Sequence, residues 1–369
     1  MATWHEHVNA DTALAAYQGE LGKEIASKGS FEADYAEQCA KYNVVPCPFI
    51  TSSSQTGTVR VANCAVDLSS WRAMLLVVAS VPSLNVENLV VHNVRLGSSH
   101  LADLAAATAE KGFKSVKFDY LGHLDEEAKQ ALRLFLAADV KVEYVSFRGC
   151  GLDDAFITAN VAALQANFSM KGLNLSYNNI TDIGAAALVA ALRPNVALRE
   201  VSLGKNLVTG DGGWIDDLAR LLAGSAPSPE DDVACKGVTK ALVEFNKKIK
   251  DINKKRKKDK MPELAEVPAP PKERILKVEK EMVLANRILS VIDLGQNPLN
   301  FEAIRPGLEK LKVACGPSPA STAFGPSALA LLLNRAVATG SSGEVPLAEA
   351  IIDATLVADL ESVGVSLLL

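Results

Sequence analysis

A repeating pattern of apolar residues runs along most of this chain of 369 residues. Its three clearest copies begin at Val142, Met170 and Leu198, so the step is 28 residues in both cases. Each copy has apolar residues at its first, fourth and sixth positions, Asn or Cys at its ninth, and an apolar residue at its eleventh. A unit of this size cannot bury its apolar side alone, so its copies have to stack on one another. The period therefore predicts an array of stacked units.

Each copy predicts a short strand, a turn and a helix. At the ninth position, Asn178 and Asn206 can turn their amides inward, where they satisfy backbone groups that would otherwise be buried without partners. Cys150 takes this position in the copy that begins at Val142. After the turn, apolar residues at helical spacing predict a helix from Asp182 to Leu192 and, in the following copy, another from Trp214 to Ala223.

Weaker copies extend the array in both directions, and we count seven units. The additional copies begin near residues 56, 86 and 113 and at Leu289. Beyond the last unit, Ala328–Ala338 has the pattern of a helix. The predicted divisions are a helical cap (1–55), repeats (56–224), a basic helical insertion with a Pro-rich tether (225–284), a final repeat (285–314), and a C-terminal cap or docking tail (315–369).

This pattern resembles that of ribonuclease-inhibitor-like leucine-rich-repeat proteins over roughly residues 55–310. The resemblance implies an α/β fold, a solenoid in the form of a horseshoe arc. Its parallel strands would lie on the concave face and its helices on the convex face. The resemblance implies no particular activity.

The insertion is the most unusual part of the sequence. Its residues 247–260 include nine Lys or Arg and two Asp, whereas the whole chain carries a net charge of −5. An apolar stripe at heptad spacing predicts a helix that packs on another surface. The stripe consists of Val238, Leu242, Phe245, Ile249 and Ile252.

Three interpretations of this helix stay open at the level of the sequence. Its stripe could dock on the repeats of the same chain, or the helix could be an arm that binds an acidic assembly such as a tubulin surface. Nucleic acid is the third, less favoured interpretation, because only Phe245 offers a ring for stacking and no RNA-binding motif surrounds it.

Two further segments resemble parts of leucine-rich-repeat structural proteins of cilia and flagella. They are YAEQCAKYNVVPCPFI (Tyr35–Ile50) and KALVEFNKKIKDINKKRKKDKMPEL in the insertion. This resemblance implies a non-enzymatic scaffold in the axoneme, such as a subunit of a radial spoke, an inter-doublet link or a doublet-associated complex. It also implies a cytoplasmic, cytoskeletal location. The alternative is a cytosolic regulator of a small GTPase or another signalling adaptor.

The sequence lacks the motifs of the common enzyme classes. It has no phosphate-binding GxxxxGK[ST], no GxSxG and no HExxH. The cysteines show no metal-finger spacing, and the HxH of His5 and His7 is weak evidence for a metal site. No apolar run is long enough to span a bilayer as a helix. We therefore expect no catalytic residues, cofactor, metal or membrane partner.

Candidate partner-binding residues lie on the outward face of the strands and on the basic helix. Strand alternation places the fifth and seventh positions of each unit outward, with the third and eighth at the rims. The candidates are Lys117, Asp119, Tyr120, Arg148, Tyr177 and Lys205 on the repeats, and Phe245, Lys247, Lys248, Lys254, Lys255, Arg256, Lys257 and Lys258 on the helix. Gly172, Ser176 and Gly204 are expected to form a floor of small residues beside Arg148 and Tyr177.

Overall fold

The computed structural model describes residues 17, 19–21, 23–122, 124–137, 142–195, 197–224, 226, 229–258, 263, 266, 275–278, 281–284, 286, 289–315, 329–332, 337–340, 343–346 and 365–368. His5, His7 and most of the predicted Pro-rich tether lie outside these residues. The chain divides into two compact units, Met1–Phe135 with Val140–Val142 and Leu136–Asp139 with Glu143–Leu369. Both have an α/β fold with mostly parallel strands.

The first unit alternates strands and helices after an initial helix. Its elements are α1 (Phe31–Lys41), β1 (Ile50–Ser53), β2 (Thr58–Ala65), α2 (Leu68–Ser80), β3 (Asn88–Arg95), α3 (Ser98–Lys111), β4 (Phe113–Asp119) and α4 (Glu126–Leu132). The strands pair in the order β1-β2-β3-β4, with β1 antiparallel to β2 and the other pairs parallel. The sequence had predicted only helices before residue 56, so β1 is an element that it did not predict.

The second unit continues this alternation around a long helix. It contains β5 (Val142–Ser146, all but its first residue), α5 (Asp154–Ala159), α6 (Val161–Ala166), β6 (Gly172–Asn174), α7 (Asp182–Leu192), β7 (Glu200–Ser202), α8 (Trp214–Ala223), α9 (Pro229–Lys258), β8 (Ile275–Val278), β9 (Glu281–Leu284), β10 (Val291–Asp293), α10 (Phe301–Cys315), β11 (Leu329–Leu332), β12 (Val337–Gly340), β13 (Gly343–Pro346) and β14 (Val365–Leu368). Its main sheet has the order β5-β6-β7-β10-β11-β14, and β8–β9 and β12–β13 form antiparallel pairs.

The register of the strands follows the repeat. In the second unit Val145 pairs with Leu173, Leu173 with Val201, and Val201 with Ile292, which are all fourth positions. The eighth residue of every predicted unit has a left-handed backbone, with φ between 49° and 65°. These residues are Asn63, Asn93, Tyr120, Gly149, Tyr177, Lys205 and Gln296. The same left-handed residue therefore recurs in all seven predicted units; it follows the strand in five of them and lies within β2 and β3 in the other two.

The asparagines at the ninth position link each repeat to the preceding one. The Asn178 amide nitrogen donates to the carbonyls of Phe147 and Leu175, both at 2.8 Å. Its oxygen accepts from the backbone N–H groups of Cys150 at 3.1 Å and Leu152 at 3.0 Å. Each of these bonds satisfies a backbone group at the buried exit of a strand. The sequence predicted this role.

Helices start where the twelfth residue of a unit can accept a backbone hydrogen bond. The side chains of Asp67, Asp153 and Thr181 each accept one from the first turn of the helix that follows. Such caps satisfy N–H groups that have no partner inside the helix. The predicted helices Asp182–Leu192 and Trp214–Ala223 have the expected bounds.

The prediction of a helix at Ala328–Ala338 is wrong. Leu329–Leu332 is strand β11, which pairs in parallel with β10, and Val337–Gly340 is strand β12. The exposed edge of β10 leaves backbone groups that a neighbouring strand can satisfy, and this favours a strand over a helix. The end of the chain contributes β14, which pairs with β11. Leu329–Leu332 and Val365–Leu368 thus add two strands to the sheet.

Candidate partner-binding surfaces

Arg148, Tyr177 and Lys205 form a stack at the ends of three adjacent strands of the second unit. The guanidinium carbon of Arg148 lies 4.3 Å from the centre of the Tyr177 ring, and the ammonium of Lys205 lies 4.7 Å from it. Contacts of this kind are favourable because the face of an aromatic ring is electronegative. We call these three residues the Arg–Tyr–Lys row. The structure therefore brings together the three candidates that the sequence placed on these repeats.

The backbone holds this row in place through the left-handed turns. The N–H of Tyr177 donates to the carbonyl of Gly204 at 2.9 Å, and that of Lys205 donates to Gly295 at 2.6 Å. The left-handed region costs a residue with a side chain roughly 1–2 kcal/mol, and Gly or Asn occupies it more easily. Tyr177 and Lys205 therefore adopt a strained backbone conformation at this turn, whereas Gly149 adopts it without strain at the equivalent position of the preceding repeat.

The floor beside the row is less open than the sequence suggested. A Cβ atom at Gly172 would lie 2.6 Å from Cδ1 of Tyr144, so the Tyr144 ring covers this glycine. At Gly204 a Cβ atom would lie 3.1 Å from a carboxylate oxygen of Asp293. Both glycines therefore make room for neighbouring side chains. Tyr144 stands at a third position, at a rim of the strand face, and was not among the predicted residues.

The remaining repeat candidates belong to the first unit. Lys117 is exposed on β4, and Asp119 pairs in register with His92 of β3. The Tyr120 ring meets the His92 ring edge to face, with centroids 5.7 Å apart. His92 was not among the predicted residues. His92 and Tyr120 are therefore in ring contact within the first unit.

The apolar stripe of α9 is buried inside the second unit. Leu242, Phe245 and Ile249 form a cluster with Phe168, which follows α6. The Phe168 and Phe245 rings meet edge to face with centroids 4.7 Å apart, and Phe245 is only 5% exposed. We predicted that Phe245 contacts a partner, but its ring is buried against other residues of the same chain. Docking of the stripe on the repeats is the interpretation that this packing favours.

A polar contact fixes the beginning of the same helix. Arg193, at the end of α7, donates through Nε to Asp231 at 2.8 Å and through Nη2 to the carbonyl of Ala226 at 3.2 Å. Both members of the ion pair are largely buried, which limits the screening of their attraction by water. The helix is thus held at its start by charge and farther along by apolar contact.

The last three turns of α9 present a dense positive surface, which we call the basic end (residues 247–258). Arg256 continues the line of the buried stripe and is half-buried, and burial lowers its pKa. Lys254 pairs with Asp251 at 2.9 Å and Lys250 pairs with Glu266 at 3.5 Å. Among the described residues the other exposed lysines of the basic end have no ion pair, namely Lys247, Lys248, Lys255, Lys257 and Lys258.

Within the described part of the chain, no group of three or more His, Cys, Asp or Glu side chains is arranged to hold a metal ion. In the same residues, no helix combines the length and the apolar character needed to cross a bilayer.

Comparisons with known proteins add little. No protein-family model matches the chain, and no curated protein matches it. Among solved structures the chain is similar to Leiomodin-1 Actin-Binding Site 2 (ABS2), with 18% sequence identity and a TM-score of 0.30. The match covers 43% of this chain and 95% of the other. At this TM-score the similarity carries no argument about fold or partners.

Proposed function

We propose that this chain is a leucine-rich-repeat solenoid that acts, without catalysis, as an interaction subunit of a cytoskeletal assembly. Three features support the solenoid: strands in register at the fourth position, a left-handed turn at the eighth, and an asparagine ladder at the ninth. The observation that carries the functional proposal is the two-sided character of α9. One side is buried against the chain's own repeats and the other carries the basic end.

Anchoring of α9 makes its charge suitable for binding. A helix of 30 residues is about 45 Å long. Because Leu242, Phe245 and Ile249 fix its middle, the lysines beyond them are carried on an ordered backbone. A partner then pays less ordering entropy than it would with a flexible basic tail.

The partner that fits best is an acidic protein surface. The buried Phe245 ring leaves no aromatic face on this segment for the stacking that single-stranded nucleic acid favours. The resemblance of the insertion to those of ciliary proteins points to the axoneme, where microtubules offer acidic surfaces. We therefore propose that the basic end contacts a tubulin-like surface.

Co-sedimentation of the purified chain with microtubules tests this function. We expect a variant with Lys254, Lys255, Lys257 and Lys258 changed to Gln to bind about tenfold more weakly, since each exposed contact contributes a fraction of a kcal/mol. The control changes four exposed lysines elsewhere to Gln (Lys23, Lys114, Lys236 and Lys240) and alters the net charge equally.

Equal weakening in the variant and the control would show that only net charge matters, and the role of the basic end would fall. Absence of binding by the unaltered chain would overturn the proposed partner. The axonemal assignment has its own readout, which is retention of the tagged chain in salt-extracted axonemes of a flagellated cell. A chain recovered entirely in the soluble fraction contradicts it.

A further inference from the structure

We propose that Cys47 and Cys64 form a thiol-modification site in the first unit, where a small-molecule disulfide such as oxidised glutathione links them by a reversible disulfide bond. The inference goes beyond the proposed function and does not depend on it. Both cysteines are free and half-buried, so a small reagent has access to them. They lie at the open end of the β1–β2 hairpin, opposite its turn.

The pairing of β1 with β2 brings the two backbones together. The strands are antiparallel, and the N–H of Ala62 donates to the Phe49 carbonyl at 3.4 Å, so the pairing continues before β1. Cys47 comes two residues before Phe49, and Cys64 comes two residues after Ala62. Opposed residues of an antiparallel pair have Cα atoms about 4.5–5.5 Å apart, and a disulfide requires about 4.4–6.8 Å. The hairpin therefore brings the two cysteines to a separation that a disulfide spans.

The two side chains meet at this end of the hairpin. The Cys64 thiol is hydrogen-bonded to that of Cys47, and burial together with the neighbouring Cys47 raises the pKa of Cys64 to about 11. Cys64 is the ninth residue of the first predicted repeat, the position from which Asn178 reaches a carbonyl of the preceding repeat. Because the segment between α1 and β1 takes the place of a preceding repeat here, its Cys47 is the neighbour that Cys64 reaches.

The backbone holds both cysteines in position. The N–H of Cys47 donates to the Tyr35 hydroxyl at 3.0 Å, and its carbonyl accepts from the N–H of Ile50 at 3.2 Å. Cys64 lies within β2, in register with Val94 of β3. Two groups that are held side by side react as if each were present at a very high concentration. Once one cysteine has reacted with the reagent, closure onto the other is therefore favoured over attack by a second reagent molecule.

The chemistry consists of two successive thiol–disulfide exchanges. The raised pKa keeps Cys64 protonated at neutral pH, so the first attack falls to the thiolate of Cys47. Its sulfur bonds to one sulfur of oxidised glutathione, the glutathione S–S bond breaks, and one glutathione thiolate leaves and takes up a proton. Cys64, whose ionisation the bonded Cys47 no longer opposes, then loses its proton to solvent and attacks the Cys47 sulfur, which expels the second glutathione. Two cysteine thiols are oxidised, and one glutathione disulfide is reduced to two thiols.

The disulfide would fasten the edge of the sheet in the first unit. Strand β1 stands at the end of the strand order and lies between the two cysteines in sequence. A bond between Cys47 and Cys64 closes a loop around β1 and its turn, which restricts the unfolded chain and stabilises the folded one. Because reduced glutathione reverses the exchange, the stability of the first unit follows the redox state of its surroundings.

The test treats the reduced full chain with oxidised glutathione, blocks the remaining thiols with N-ethylmaleimide, and identifies disulfides by mass spectrometry of tryptic peptides. Trypsin cleaves after lysine and arginine, which places Cys47 on peptide 42–60 and Cys64 on peptide 61–72. We expect these two peptides to be joined in the main disulfide product. In differential scanning calorimetry the oxidised chain should melt roughly a few degrees higher than the reduced chain, because the closed loop restricts the unfolded state.

Two variants separate closure from simple modification. In Cys64→Ser the second exchange cannot occur, so glutathione should remain on Cys47 and the rise in melting temperature should be absent. The matched control is Cys150→Ser, which removes the ninth-position cysteine of a repeat in the second unit. This control should leave the link between the two peptides unchanged.

The competing partner for Cys47 is Cys39, which is fully buried, lies near Cys47 and falls on peptide 29–41. A link from peptide 42–60 to peptide 29–41 would overturn the proposal. So would glutathione adducts on the unaltered chain without any link, or a linked chain that melts no higher than the reduced one. None of these outcomes alters the microtubule result.

Discussion

At the scale of single residues, buried asparagines organise the second unit through two ladders. The first stands at the ninth position and was predicted. The second stands three residues before each repeat begins, at Asn167, Asn195 and Asn286. Asn195 donates to the carbonyls of Leu164 at 2.6 Å and Asn167 at 2.9 Å and accepts from the N–H of Leu198 at 2.8 Å. Both ladders satisfy backbone groups that lie too deep for water.

We expect Asn206→Ala to lower the free energy of unfolding by about 3 kcal/mol, because it leaves several buried backbone groups without partners. These groups are the carbonyls of Leu175 and Leu203 and the N–H of Ile180, at 3.0, 2.8 and 3.0 Å from the Asn206 amide. Denaturation in urea measures the loss. The exposed Asn179 is the control, and its change to Ala should cost less than about 0.5 kcal/mol. Similar losses for the two variants would contradict the ladder.

At the scale of elements, the sequence predicts what is local and misses what depends on distant pairing. The helices that begin at Asp182 and Trp214 have the predicted bounds because their apolar spacing and starts are local signals. Strand β1 was missed because its stability comes from pairing with β2, and β11 because it pairs with β10. Short apolar runs such as that of β11 do not distinguish a strand from a helix by periodicity.

For the candidate site too, the sequence predicted the features that are local and missed those that depend on residues far apart in sequence. Alternation along the strands placed Arg148 on the outward face and Tyr177 and Lys205 at its rim, which needs only the repeat register. That their side chains stack, and that Tyr144 covers Gly172, depends on rotamers and on neighbouring strands. The heptad spacing of the sequence predicted the apolar stripe of α9, but it did not predict which surface the stripe packs against. Phe168, its partner, lies far from it in sequence.

We expect Phe245→Ala to release α9 while the repeats stay folded, because its ring packs in a small cluster apart from the sheet. Loss of a buried Phe ring costs about 3–5 kcal/mol in a core, and Phe168, Leu242 and Ile249 are the buried members of the cluster that would remain. Hydrogen exchange followed by mass spectrometry should show faster exchange across residues 238–249 and unchanged protection in β6 and β7. Val243→Ala is the control, since Val243 is 64% exposed on the same helix. Unchanged exchange in α9 would show that other contacts hold it.

At the scale of the whole molecule, charge is unevenly distributed. The chain has a net charge of −5 at pH 7 and a pI of about 5.7, although the basic end is strongly positive. Most ion pairs between the described residues are exposed and contribute little to stability. The pair of Arg72 with Asp103, at 2.7 Å, is buried in the first unit. Histidine is the side chain whose ordinary pKa lies nearest pH 6, so we expect it to contribute to the pH dependence of stability in this range.

Burial lowers the pKa of His100 in the first unit. Its Nε2 lies 3.1 Å from the Val66 carbonyl, and its Nδ1 accepts the N–H of Gly97 at 3.3 Å, an arrangement that fits the neutral ring. Protonation would remove the acceptor at Nδ1. The unfolded chain therefore binds the proton more readily than the folded one, and stability falls as the pH drops below about 6.5.

We expect the melting temperature to fall by a few degrees between about pH 7.5 and about pH 5.5. In His100→Gln the fall should be smaller, because Gln does not titrate, although the variant starts from a lower melting temperature. Differential scanning calorimetry of both proteins at each pH measures the two differences. Over this interval the net charge of the chain passes through zero near its pI of about 5.7, which by itself reduces self-repulsion and opposes the loss. A drop in the unaltered chain that persists undiminished in the variant would therefore assign the pH dependence to other groups.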